Sequence, residues 1–286
     1  MPRFTPLPDR RPAIVAGASS GIGEATAIKL AANGFPVALG ARRVDKLQEI
    51  VEKIRADGGE AIAVHLDVTD PDSVKAAVEQ TTSELGEIEV LVAGAGDTYF
   101  GRLDSISIDE FESQIQIHLV GAYRVASAVL PGMLERQRGD LIFVGSDVSL
   151  RPRPHMGAYG AAKAALVSMV TNYQMELEGT GVRASIVHPG PTKTSMGWSL
   201  PAELIGPALD DWAKWGQARH DYFMRAADLA RAITFVAETP RGSFIANMEL
   251  QPEAPLADNT SRQKLALGEE GMPPAGTSEA RRESTQ

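Results

Sequence analysis

Cysteine is absent from the 286 residues, so neither a disulfide framework nor thiolate chemistry is available. Long hydrophobic runs are absent too, since none approaches the ~20 residues that a bilayer-spanning helix needs. Residues 1–11 carry no apolar core of the kind a secretory signal requires, and the expected compartment is the cytoplasm. Basic residues are in short supply, 28 Lys and Arg against 37 Asp and Glu, for a net charge of −9. That balance argues against non-specific nucleic-acid binding, which needs basic surface to displace counterions, and against a polybasic membrane anchor. The five histidines (His65, His118, His155, His188, His220) are scattered without ligand-like spacing, so no metal site is expected. Aromatic residues make up only 6%, yet all three tryptophans (Trp198, Trp212, Trp215) crowd into one short stretch.

What remains is an alternation of short apolar runs with amphipathic stretches. Runs at Ala13–Ala16, 37–39, 61–66, Val90–Ala93, 141–144, 184–187 and 244–248 have the length and composition of buried strands. Between them, 22–33, 45–56 and 72–85 repeat with helical period, and Asp70-Pro71 has the chemistry of a helix start. Strand–helix alternation with right-handed crossovers gives an α/β fold: a single doubly wound Rossmann-type parallel sheet with helices on both faces. Two longer helices are expected, about 109–136 and 159–178. Both are rich in small and apolar residues, so they either cover their own sheet or also pack another subunit in a homodimer or homotetramer. The catalytic domain is read as 12–251, after a loose proline-containing arm (1–11). A tail, 252–286, is too poor in apolar residues to offset the entropy of ordering it.

Strand Ala13–Ala16 runs into Gly17-Ala18-Ser19-Ser20-Gly21-Ile22-Gly23 and then a helix. Gly17 permits a tight turn, Gly21 lets backbone approach a pyrophosphate, and Gly23 allows close helix packing; the serine hydroxyls add donors. At the end of the second strand, where a selector for the adenosine ribose belongs, stand Ala41-Arg42-Arg43. A guanidinium can pair bidentately with a 2′-phosphate, whereas a solvated cationic helix start is disfavoured by the dipole. Tyr159 and Lys163 lie four apart on one helical face, and Ser146 precedes Tyr159 by thirteen residues at the end of a strand. Taken singly, each could be an ordinary structural residue.

Together, the GxxxGxG turn, the Ser146–Tyr159–Lys163 spacing and Pro189-Gly190-Pro191-Thr192-Lys193-Thr194 resemble the short-chain dehydrogenase/reductase family over roughly 12–251. The resemblance implies a carbonyl/alcohol oxidoreductase in which Tyr159 moves the proton, Lys163 lowers its pKa and holds the nicotinamide ribose, and Ser146 bonds the substrate oxygen. It implies NADP(H) in preference to NAD(H), because Ala41 stands where NAD-selective members carry an acid. Asp67 and Val68 match the adenine-contacting pair, and Ala93, Gly94 and Ala95 would line the adenosine ribose. Pro189, Gly190, Thr192 and Thr194 would cover the nicotinamide carboxamide.

Four positions depart from the family pattern. Ala16 replaces a Thr, Ala93-Gly94 replaces Asn-Asn, and His118 stands where an active-site Asn helps hold a water linked to the lysine. His118 could supply a ring nitrogen, supply only its backbone carbonyl, or simply be packed. These departures keep open a reading as an NADP(H)-binding redox sensor or scaffold without turnover. The tryptophan-rich segment 194–224 is read either as a lid over a largely apolar carbonyl substrate or as a small packed subdomain.

Overall fold

The main strands are short and nearly continuously apolar, the composition of a parallel sheet covered on both faces by helices. The computed structural model describes residues 4, 6–194, 196, 202–217, 220 and 222–256, and structural statements below refer to these. Its first half runs β1 (Ala13–Ala16), α1 (Gly21–Ala32), β2 (Val37–Ala41), α2 (Val44–Ala56), β3 (Ala61–His65), α3 (Pro71–Leu85) and β4 (Val90–Ala93). Then come α4 (Ile108–Ile115), a π-helical segment (Gln116–Gly121), α5 (Ala122–Glu135), β5 (Gly139–Val144), a 3₁₀ turn (Asp147–Ser149), α6 (Gly157–Glu176) and β6 (Val182–Pro189). The remainder is β7 (Thr192–Lys193), α7 (Ala202–Lys214), β8 (Met224–Arg225), α8 (Ala226–Glu238) and β9 (Asn247–Leu250).

Seven strands pair in parallel in the order β3-β2-β1-β4-β5-β6-β9, with β7 and β8 forming a small separate ribbon. Side chains alternate across the sheet and build two cores. Ile14, Leu91, Leu141 and Phe143 pack against Val74, Val125 and Leu166 of α3, α5 and α6. Val15, Leu39, Val92 and Ile142 pack against Leu30, Leu47 and Ile233 of α1, α2 and α8. Each such fully buried side chain contributes roughly 1.5–3 kcal/mol. Asp70 caps α3 as its sequence suggests, accepting from the Asp72 N–H at 2.9 Å with Pro71 in the first turn.

Three expectations shift. The stretch read as one helix over 109–136 is interrupted by the π segment, an i→i+5 widening that leaves no mark in hydrophobic period. The last strand forms at Asn247–Leu250 rather than 244–248. After α8 the chain first wraps the Arg183 guanidinium with the carbonyls of Thr239, Pro240 and Ser243, and only then reaches β6. Finally, the end of the expected loose arm is tied down. Arg10 pairs with Glu60, and Arg11, 6% exposed, pairs with Asp140 and donates to the Ala237 carbonyl at 2.6 Å. A buried guanidinium needs such partners, and here it finds them at the foot of the sheet.

Candidate active site

The strand order reverses at β1, with β2 and β3 to one side and β4 onward to the other. A crevice therefore opens beyond the carboxyl ends of β1 and β4, and the glycine turn forms one wall. Gly17 (φ 88°) and Gly21 (φ 61°) hold conformations that side chains disfavour. A Cβ on Gly17 would lie 2.7 Å from the Ala95 backbone, and one on Gly23 would lie 2.2 Å from the Gly17 carbonyl. The turn thus seats against Ala93-Gly94-Ala95, with the Gly94 N–H donating to the Ala16 carbonyl at 3.1 Å. Ile22, in the first turn of α1, packs on the core and fixes the direction in which the helix N-terminus points. A helix N-terminus, whose first N–H groups lack intrahelical partners, and its dipole favour an anion. A Cβ on Gly21 would come within 3.2 Å of Thr194, so the segment after β6 closes over the same turn. That segment is held by Gly190 N–H donating to the Leu250 carbonyl (2.7 Å) and the Thr192 hydroxyl donating to the Gly190 carbonyl (2.8 Å), just past Pro189.

Both arginines lie just past the carboxyl end of β2, in different roles. The Arg43 guanidinium donates to the hydroxyls of Ser19 (2.9 Å) and Ser20 (3.3 Å), bracing the glycine turn. Arg42 is exposed beside Asp67. Bonds from the Thr69 hydroxyl and backbone hold the Asp67 carboxyl below its usual range, with the Arg42 and His65 charges adding to the effect. Asp67 thereby stabilises its own turn (Thr69 N–H at 2.9 Å, Thr69 hydroxyl at 2.7 Å), and Val68 is buried against Gly121.

The other wall carries the titratable groups. Ser146 follows β5 and caps the 3₁₀ turn, its oxygen accepting from the Val148 N–H at 3.3 Å. Tyr159, in the first turn of α6, is 7% exposed, and Lys163 one turn on is 5% exposed. The Lys163 ammonium donates to the Val144 carbonyl at 2.7 Å and lies 5.7 Å from the centre of the Tyr159 ring. Burial pushes the Tyr159 phenol up to about 12; a bond with Ser146 pulls down, the Asp147 charge pushes up, and the Arg153 charge pulls down. Burial likewise pushes Lys163 down to about 7. His118 comes from the π segment and meets Tyr159 edge-to-face, 4.9 Å between ring centres. Its Nε2 bonds the Asp97 carbonyl, while its Nδ1 is buried without a hydrogen-bond partner among the described residues. Burial, then the Lys163 charge, pushes its pKa down to about 3. The ring is therefore neutral, with the proton on Nε2.

Trp212 is anchored through both its indole N–H and its ring. Its indole N–H donates to the Pro154 carbonyl at 2.7 Å, and its ring sits 5.7 Å from Phe100. With Phe100, Val148, Met156, Ala208 and Ile205 it forms an apolar cluster that includes Tyr159. Trp215 is 62% exposed beneath Lys214, and Trp198 lies outside the described residues. His155 also bonds Asp211 of α7 at 2.9 Å. Residues absent from the sequence reading also gather here. Asp147 and Arg153 form a bidentate ion pair beside Tyr159, and Gln251 donates to Asp147 at 3.2 Å. The signal was the basic run from Arg151 to His155 just before Tyr159. Among the described residues no cluster of His, Cys, Asp and Glu could hold a metal. A cavity of about 490 Å³ lies near Arg183 and Arg241, away from this chemistry.

A doubly wound parallel sheet with a glycine turn at its switch point places the chain in the Rossmann class of nucleotide-binding folds. The profile of the family described as short chain dehydrogenase matches residues 11–204. The chain belongs to that family, and is an oxidoreductase. It is 34% identical over 241 residues, 84% of its length, to glycine betaine reductase ATRR of Emericella nidulans, but spans only 18% of that relative. It is 33% identical over 234 residues to a 3-oxoacyl-acyl-carrier-protein reductase of Synechocystis, covering 82% of this chain and 91% of that one. An alcohol dehydrogenase from the archaeon Thermococcus sibiricus, complexed with 5-hydroxy-NADP, superposes with a TM-score of 0.74 at 31% identity, over 86% of this chain and 100% of that one. The closed form of a serine dehydrogenase complexed with NADP+ gives 0.75 at 26% identity, over 87% and 99%.

Proposed function

We propose that this chain is an NADP(H)-dependent oxidoreductase that interconverts a carbonyl and an alcohol by hydride transfer, with Tyr159 as general acid and base. The observation that carries the reading is the buried Tyr159 phenol, with Lys163 one helical turn behind and Ser146 pulling its proton affinity down. The glycine turn fits a pyrophosphate, since Gly17 and Gly21 hold positive φ angles that side chains disfavour and lead into the N-terminus of α1. Arg42 and Arg43 flank the place of a 2′-phosphate, and two of the solved relatives hold NADP-type molecules. A nicotinamide bound here would supply the hydride.

The chain's own groups handle the proton. At neutral pH the phenol is protonated, the state required of a donor to a developing alkoxide. Ser146 donates to the same oxygen as charge builds there. As the proton leaves, the phenolate draws Lys163, pushed down to about 7 by burial, back to its charged form. A cavity of about 10 Å³ lined by His118 and Lys163 has room for one water, which the His118 Nδ1 lone pair can accept from. The apolar cluster around Phe100 and Trp212 suits a largely apolar carbonyl compound. A second copy of the chain packs on the helical stretch Ile108–Glu135, whose most apolar window (mean hydropathy 1.3) is only 33% buried.

Tyr159→Phe keeps the ring and deletes the hydroxyl. With a panel of alkyl and aryl ketones, NADPH oxidation should fall at least ~100-fold while NADPH affinity survives. Undiminished turnover would refute the role of Tyr159. NADPH binding without turnover by the unaltered chain would favour the sensor reading.

A further inference from the structure

We propose that Asp147 and Arg153 are positioning residues that act as a matched charge pair on Tyr159, setting how tightly the phenol holds its proton while tying the Ser146 turn to the start of α6. The pair rests on the reading of Tyr159 as the proton donor and goes beyond it. Asp147 directly follows Ser146, and its side chain turns inward rather than to solvent, at 3% exposure against 11% for Arg153. Arg153 reaches it with two parallel bonds, 3.0 and 2.6 Å, and Gln251 from beyond β9 adds a third at 3.2 Å. Arg153 also lies 5.6 Å over the Trp212 ring, which fixes its guanidinium plane from the other side. Its backbone carbonyl accepts from the Met156 N–H at 3.3 Å, at the entry to the helix that carries Tyr159.

Two charges held this rigidly near a buried phenol act on it with opposite sign. Tyr159 is faced by His118 from the π segment, Lys163 from its own helix, Ser146 from the end of β5, and Asp147 and Arg153 from the loop between β5 and α6. His188 of β6 faces the Ser146 carbonyl behind them, at 3.3 Å. His118 is neutral, so Asp147, Arg153 and Lys163 supply the charge. The Asp147 carboxylate raises the proton affinity of Tyr159 and the Arg153 guanidinium lowers it. A carboxylate alone in this place would tighten the proton on the phenol; the paired arginine offsets that pull.

The test reads Tyr159 directly. The full chain is made with 3,5-difluorotyrosine at position 159, whose phenol is more acidic than that of tyrosine, and titrated by 19F NMR. Asp147→Asn should move the titration down by about one pH unit and Arg153→Met up by about one. The double variant, which leaves no charge unpaired, should return to within about 0.3 unit of the parent, against single shifts of the size charge pairs produce. A purely packing role predicts shifts of the same sign, or none, in both single variants, and either result overturns the proposal. Should Arg153→Met fail to fold, the downward shift in Asp147→Asn and its reversal in the double variant still decide the matter. The titration needs neither cofactor nor ketone, so a chain without turnover would sink the reductase reading and leave this result standing.

Discussion

Acid should unfold this protein partly through His118, and the size of the effect follows from its surroundings. In the folded chain the imidazole remains neutral down to about pH 3, because it is buried and faces the Lys163 ammonium. In the unfolded chain an ordinary histidine takes a proton near pH 6.5. Between those two values the unfolded state binds more protons, so stability is fully present above pH 6.5 and drains away as pH falls toward 3. Each unit is worth ~1.4 kcal/mol. Going from pH 7 to pH 4 crosses about 2.5 units of that window and costs on the order of 3 kcal/mol. For a chain of this size that is roughly 6–12 °C in Tm. The comparison variant is His118→Asn, whose amide can still donate to the Asp97 carbonyl but cannot titrate. Carboxylates that protonate in both proteins cancel in the difference. Scanning calorimetry at pH 7 and pH 4 should therefore show the parent losing about 6–12 °C more than the variant. Tm curves that stay parallel across the range would mean that the ring is not the buried neutral group described here. Active-site charge would then need another account.

Two further outcomes separate side chains that the sequence lumps together. Arg42→Ala should weaken NADPH binding by ~1–3 kcal/mol and leave NADH binding nearly unchanged, whereas Arg43→Ala should weaken both, because Arg43 braces Ser19 and Ser20 in the shared phosphate turn; isothermal titration with both cofactors checks this, and equal losses from the two variants would refute it. Trp212→Ala should raise KM for aryl ketones about 5-fold through ~1 kcal/mol of lost ring contact, whereas exposed Trp215→Ala should change nothing; steady-state kinetics giving the same KM for both variants would count against a wall built on Trp212.

The legible part of this molecule is the part whose physics is local. Glycines at a strand-to-helix turn, apolar runs of strand length and a phenol four residues from a lysine each constrain the backbone within a few residues, so the sheet and the outline of the site follow from spacing. What resisted reading depends on partners distant in sequence. The π segment changes neither composition nor apolar period, but it turns His118 inward against Tyr159 and toward the Asp97 carbonyl. Asp147 and Arg153 look like ordinary loop charges until Gln251, 104 residues on from Asp147, and Trp212 enclose them. The tryptophans invite a single explanation by sequence proximity, and folding divides them: the Pro154 carbonyl claims Trp212, and solvent keeps Trp215. His118 stays neutral because it is buried and because the lysine beside it is the cation. A second titrating cation next to Tyr159 would compete with Lys163 for the phenolate. Burial together with the Lys163 charge removes that competition, so a neutral imidazole at this position is compatible with the role proposed for Tyr159.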